Sequence, residues 1–312
     1  MTAQRFFTHP AGRPLAALGA TLLWGSAFPL IKLSYQHMDI HRDETFEQIL
    51  FAGYRFTLAG LIILAMMILM RIPFDRNPRS WAGIAKVSAF QTVCQYLFFY
   101  IGLSYATGTI SSIIAGTTSF FQLLVAHFLY RNDRLTPMRG LGVFVGFAGI
   151  AVIWLQGESS GFSFGFGEIL LIVSMFFGGL GNVLAKKESA HSNIFFLTGL
   201  QMFLGGVVLL SVGAFQTGIL PFHMDGQAIA MLIYLAILSS AGFLLWNLLM
   251  KYNSVSSVSM YLALIPLFGV ILSSILLHER LHPTILVSLC LIIVGIVIVN
   301  RVRLRKESSK NA

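Results

Sequence analysis

Asp133-Arg134-Leu135-Thr136-Pro137 precedes one apolar run of the chain, and Glu279-Arg280-Leu281-His282-Pro283 precedes another, 146 residues later. At the same shift Gly149 falls on Gly295 and Tyr100 on Trp246. Arg55-Phe56-Thr57-Leu58-Ala59-Gly60 falls on Gln201-Met202-Phe203-Leu204-Gly205-Gly206. Before the second run the offset grows to about 154, which aligns Lys32 with Lys186. A longer first loop, Gln36 to Glu47, absorbs the difference. Several matches in one register point to a duplicated unit rather than a chance motif.

The duplicated unit is built of membrane-spanning lengths. Of the 312 residues 56% are hydrophobic and only 11% charged. A soluble domain carries about a quarter charged residues, so this chain cannot dress a water-facing surface. A span needs about 20 apolar residues. Ten runs qualify, near 15–35, 48–70, 81–103, 108–130, 138–155, 165–187, 193–216, 228–250, 255–277 and 283–300. Pro and Gly clusters such as Ile72–Ser80, Gly157–Gly161 and Pro221–Gly226 separate them. The shortest breaks are Ala106-Thr107-Gly108 and Lys251-Tyr252-Asn253-Ser254. The polar N-terminal stretch before Leu15 lacks the pattern of a cleaved signal, so the first span is expected to be retained.

Charge tests the count. Lys and Arg favour cytoplasmic loops. With the N-terminus inside, sixteen of the 21 basic residues fall in inside segments and two, Arg42 and Arg280, fall outside. Lys32, Arg55 and Lys86 lie within spans. A miscount would mix the two sets beyond the error. Five helices per repeat is odd, so the second copy enters the membrane inverted, an arrangement typical of transporters. The expectation is an all-α integral membrane protein of ten transmembrane helices, a 5+5 inverted repeat with both termini cytoplasmic. The repeats cover residues 14–156 and 163–302, followed by a cytoplasmic tail at 303–312. The net charge of +9 is scattered in short clusters between apolar runs, which excludes nucleic acid as a partner.

Trp24-Gly25-Ser26-Ala27-Phe28, Arg55-Phe56, Gly181-Asn182-Val183-Leu184-Ala185-Lys186-Lys187, Gln201-Met202, Pro266 and Glu279-Arg280-Leu281 occur in a specific order and spacing. In these the chain resembles the drug/metabolite transporter superfamily and its EamA-type ten-helix members, over roughly residues 14–302. The resemblance implies a pathway between the halves and export of small metabolites such as amino acids. Two positions depart from the family pattern. Phe120 stands opposite Pro266 where proline is common in both copies, and Gly178 stands where tryptophan is frequent.

Few polar groups interrupt the spans. Arg55 lies too deep for easy snorkelling, and Lys32 lies near the outer end of the first run. One reading has both line a charged vestibule that attracts a carboxylate-bearing substrate. The other has Arg55 bonded to helix-end carbonyls and Lys32 snorkelling. Gln91, Gln95, Phe98 and Phe99 form a stripe at spacings of three and four, with Tyr96 and Tyr100 beside it. Amides avoid lipid, so this face is expected to look inward. Substrate binding is assigned to Trp24, Gln91, Gln95, Tyr96, Phe99, Asn182 and Trp246, with interhelical hydrogen bonding as the competing role of the amides. Gly142-Val143-Phe144-Val145-Gly146, continued by Gly149, offers a close-packing face for the tenth helix or, alternatively, for a second copy.

Asp and Glu are absent from the middle of every span, and the histidines lack metal spacing. Cys94 and Cys290 read as small hydrophobes. No cofactor, metal or catalytic residue is expected. The functional expectation is transport of a small metabolite, amino-acid-like or otherwise amphipathic, by export or exchange, in a bacterial inner membrane. The protein is expected as a monomer or a homodimer. The alternatives are a non-transporting scaffold and an intramembrane lipid-modifying enzyme.

Overall fold

The computed structural model describes residues 3–75, 77–130, 136–155 and 165–308, with side chains described through 152 and 298 in the last two segments. Asp133, Arg134, Leu135 and the Gly157–Gly161 separator lie outside the described residues. All regular structure among those described is helical.

The elements run in the order α1 Ala3–Thr8, α2 Gly12–Met38, α3 Thr45–Leu69, α4 Pro78–Val87, a π-helical turn Ser88–Cys94, and α5 Gln95–Tyr105. Then come α6 Gly108–Ala115, α7 Thr118–Leu129, α8 Pro137–Leu155, α9 Phe166–Glu188, α10 Ile194–Thr217 and α11 Gly226–Tyr252. The chain ends with α12 Val255–Ser259, a 3-10 turn Met260–Ala263, α13 Leu264–Leu276 and α14 Pro283–Ser308. Among the described residues seven helical stretches are long and apolar enough to cross a membrane, and Pro137–Val152 and Pro283–Ile298 are shorter apolar helices. The chain is a multi-pass membrane protein.

Local chemistry explains where the helices start. Thr107 accepts the N–H of Ile110 and Asn193 that of Phe195, each satisfying a donor that the first turn leaves unpaired. Asn77 accepts the N–H of Arg79, with Pro78 in the first helical position. Asp225 accepts the N–H of Ala228 and holds His37 Nε2 at 2.9 Å. These two bonds, the backbone one first, keep the Asp225 carboxyl below its usual range. The stabilisation is therefore full above an ordinary carboxylate value and fades as pH falls through the lowered one.

Two runs expected as continuous are broken. One divides at Gly116-Thr117 between α6 and α7, the other through the 3-10 turn Met260–Ala263 just ahead of Pro266. A shift of 146 places the second break on the first, although only the second copy carries proline. The N-terminal stretch also holds a short helix. Phe7 stacks on Tyr252 at 6.3 Å, and Asn253 Nδ2 donates to the Phe7 carbonyl.

The core contact joins counterpart helices. A Cβ at Gly206 would lie 2.2 Å from Thr57 N, and one at Gly60 would lie 2.4 Å from Phe203 N. Thr57 and Phe203, like Gly60 and Gly206, are related by 146, so α3 and α10 touch backbone to backbone in reciprocal fashion. Helices α8 and α14 repeat the device. A Cβ at Gly149 would meet Ser288 O at 2.8 Å, and one at Gly295 would meet Gly142 O at 2.5 Å. The glycine face at Gly142–Gly149 thus packs within the chain against α14.

Gly206→Val forces α10 off α3. Overpacking of this kind costs about 1–3 kcal/mol. Thermal unfolding of detergent-solubilised protein, followed by size-exclusion chromatography, should show a lower midpoint for Gly206→Val and little change for Gly140→Val, where nothing lies within reach.

Candidate functional site: a central cavity

Both broken helices lead to one cavity. Ala115 and Thr118 flank the first break, Leu262 and Ile265 the second, and all four line it. Trp24, Ala27 and Phe28 of α2 form one wall, with Phe243 of α11 beside them. Gln95, Tyr96 and Phe99 of α5 form another, and Met175 and Asn182 of α9 face them. Arg55 of α3 completes the lining. In this conformation the cavity offers about 60 Å³ to water-sized occupants. That is room for a few waters, against about 300–1,000 Å³ for a typical ligand pocket.

The π-helical turn positions the polar stripe. A wide turn inserts register into a helix and rotates the side chains that follow. It places Gln91 against α9, fully buried, and Gln95 one turn later at the cavity. Gln91 Nε2 donates to Asn182 Oδ1 at 2.8 Å, and Asn182 Nδ2 donates to Gln122 Oε1 at 2.8 Å. Gln122 Nε2 donates to Ser259 Oγ at 2.7 Å, and Ser259 in turn donates to the Val255 carbonyl. Four helical segments are thereby tied by one hydrogen-bonded chain, which polarises along its length. Sequence reasoning missed Gln122 and Ser259. Their only signal is polarity inside apolar runs.

At Gly178 a Cβ would lie 2.8 Å from Gln95 Nε2. Gln95 occupies the space that a larger residue at 178 would need, so the departure at 178 has a physical consequence.

Arg55 is 1% exposed. Its Nε donates to Ser239 Oγ at 2.7 Å and to the Leu235 carbonyl at 3.2 Å, and its Nη1 donates to Tyr100 Oη at 2.9 Å. Its guanidinium carbon stands 5.0 Å from the Phe56 ring centre and 5.8 Å from that of Tyr96. These partners are all neutral.

Lys32 lies elsewhere. Its Nζ donates to the carbonyls of Leu103 and Ala106 at 3.1 and 2.7 Å, which caps the end of α5. Lys186 Nζ does the same for α11, donating to Met250 and Asn253 at 2.6 Å each. The two lysines are repeat counterparts, and a cation suits a helix C-terminus. Lys32 also borders a second recess with Gln36, Asp39 and Arg42, and Arg55 is not part of that recess. Trp246 is fully buried behind Trp24, with ring centres 5.5 Å apart, so it backs the wall rather than lining it. These residues thus divide. Trp24, Gln95, Tyr96, Phe99, Asn182 and Arg55 meet at the cavity, while Gln91, Trp246 and Lys32 stand behind or beyond it.

Glu168, in the first turn of α9, is a helix cap: its Oε2 accepts the Gly165 N–H at 2.9 Å. Glu279 accepts the N–H groups of Gly108 and Thr109 at 2.8 and 2.7 Å.

The sequence profile of the EamA-like transporter family matches residues 14–155 and again 165–301. This chain belongs to the EamA-like transporter family. An uncharacterized transporter of Bacillus subtilis (strain 168), YvbV, is 31% identical over 89% of this chain and 88% of its own. An uncharacterized transporter of Archaeoglobus fulgidus is 27% identical over 83% and 87%. A WAT1-related chloroplastic protein of Arabidopsis thaliana, At3g02690, is 25% identical over 80% of this chain and 62% of its own. One crystal structure superposes with a TM-score of 0.69 over 95% of this chain and 99% of that one, at 17% identity, which shows a shared fold alone. Family and relatives together support a membrane transporter rather than an enzyme.

The lysine geometry predicts a structural role with a distinct signature. Lys32→Met and Lys186→Met each leave two helix-end carbonyls without their charged donor, a loss of about 1–3 kcal/mol. Both variants should unfold at lower temperature by similar amounts. Substrate affinity of the folded fraction, read as KM in a flux assay, should be unchanged.

Proposed function

We propose that this protein moves a small, amphipathic metabolite across a bacterial cytoplasmic membrane, by export or exchange, through alternating access between two inverted five-helix halves. The carrying observation is the cavity at the meeting of two broken helices that correspond under the repeat. At both places the backbone keeps right-handed helical angles and tightens to i→i+3 bonding, and a short 3-10 stretch inside a helix often marks a functional hinge. A cavity too small for a metabolite must expand on one side and then the other. The amide chain from Gln91 to Ser259 is suited to hold one side shut.

The ten-span topology, with both termini cytoplasmic, rests on the charge asymmetry of the loops. In that topology the loop after α2 and the N-terminus of α11 face outside. The loops after α3 and α9 face inside. Among the described residues no Asp or Glu lines the cavity, and Glu168 is spent on a helix end. This favours gradient-driven facilitation or exchange over tight proton coupling.

Two tests follow from this reading. Single cysteines at Asp225 and at Ser189 or Pro78 should divide in intact cells: an impermeant thiol reagent should modify the first and spare the others. Labelling at Pro78 would overturn the topology. In proteoliposomes, Gln95→Leu should reduce solute flux by about tenfold, equivalent to one lost hydrogen bond of about 1.4 kcal/mol, with unchanged protein abundance. Wild-type kinetics in that variant would remove Gln95 from the pathway, and the absence of any solute flux by wild-type protein would favour a scaffold.

A further inference from the structure

We propose that Arg55 is the fixed half of an ion pair whose other half is the substrate: the cavity takes a small organic monoanion, a carboxylate on an apolar or aromatic body. This rests on the transport reading and deepens it. A guanidinium stays protonated in any protein environment. Here it is 1% exposed, close to mid-helix, and borders the cavity. Its Nε and Nη1 are engaged by a hydroxyl, a carbonyl and a phenol, and its flanks by two aromatic faces. Nη2 makes no hydrogen bond to a described residue. No described carboxylate pairs with Arg55.

Three carboxylates at helix ends are committed elsewhere. Glu168, Asp225 and Glu279 each accept backbone N–H groups at helix ends. The repeat supplies no compensation, since the counterpart of Arg55 is the neutral Gln201. A buried cation without a counter-ion is costly in a membrane, and a mobile anion removes that cost while bound. The rest of the lining defines the anion's body. Trp24, Phe28, Phe99 and Phe243 offer aromatic surface, and Gln95 offers a neutral amide. With Lys32 held by helix-end carbonyls, one guanidinium matches one negative charge, which suits a carboxylate better than a phosphate dianion. No lining carboxylate waits for an ammonium group, so a zwitterion is the weaker match.

Charge also sets direction. A carrier that moves a monoanion without a coupling ion responds to membrane potential. An inside-negative potential of 100 mV favours the outside by about 50-fold for a single negative charge. The same site therefore works as an exporter in an energised cell.

Phenyllactate, phenylalanine and phenethylammonium share a body and carry net charges of minus one, zero and plus one at neutral pH. Full-length protein in liposomes should move phenyllactate at least about tenfold faster than either of the others, the scale of one favourable charge pair. A valinomycin-imposed inside-negative potential should accelerate phenyllactate efflux and leave phenylalanine flux unaltered. Arg55→Gln should abolish the preference and Arg55→Lys should retain it, an outcome that a merely structural arginine would not give. If Arg55→Gln fails to fold, the wild-type preference and its potential dependence decide. Phenylalanine or phenethylammonium moving as fast as phenyllactate overturns the anion assignment and leaves transport standing. If no probe moves, quenching of tryptophan fluorescence in detergent separates the cases. Saturable quenching by phenyllactate, lost in Arg55→Gln, keeps the anion site and removes the transport reading, whereas no saturable quenching removes the anion site.

Discussion

The missing Cβ atoms at Gly60 and Gly206 are the constraint on which the bundle depends. Lipid tails are as apolar as leucine, so no hydrophobic force presses membrane helices together, and close van der Waals contact must hold them. The α3–α10 crossing achieves that contact with main chain on main chain, reciprocally, at residues related by the repeat. Helices α8 and α14 meet by the same means at Gly149 and Gly295. With counterpart helices so joined, the remaining helices of the two repeats face one another across a central gap. The cavity lies there.

Five charged side chains are used at helix ends. Lys32 and Lys186 saturate the last carbonyls of α5 and α11, and Glu168, Asp225 and Glu279 saturate first-turn N–H groups. Each placement follows the polarity of the helix terminus and satisfies groups that lipid cannot. Arg55 is the exception. It lies mid-helix, is held by neutral partners, and borders the cavity. The contrast between five charges used as caps and one left for the cavity gives the site its electrical sign.

The polar groups without formal charge divide in a similar way. Gln91, Asn182, Gln122 and Ser259 are linked in a chain of hydrogen bonds, while Gln95 stands beside the open space that Gly178 preserves. A chain of hydrogen bonds ties segments together. An amide facing a cavity remains free to meet a solute. The two roles fall to residues one turn apart: Gln91 bonds Asn182 and Gln95 borders the cavity.

The all-helical, multi-pass membrane character was legible in the sequence, because apolar length is a local, one-dimensional property. Arg55 and the Gln95 stripe could be singled out for the same reason: polar groups stand out against lipid-compatible runs. Sequence spacing could not divide Gln91 from Gln95, since residues four apart share a helix face and only the partner Asn182, on another helix, gives Gln91 a different role. It could not show that Lys32 ends on helix carbonyls while Arg55 borders the cavity, since both are cations inside apolar runs. Nor could it reveal the break at Gly116-Thr117, which no proline marks. Tertiary structure decided these points, because the partner that satisfies a buried polar group sits on another helix, and its distance along the chain carries no record of its distance in space.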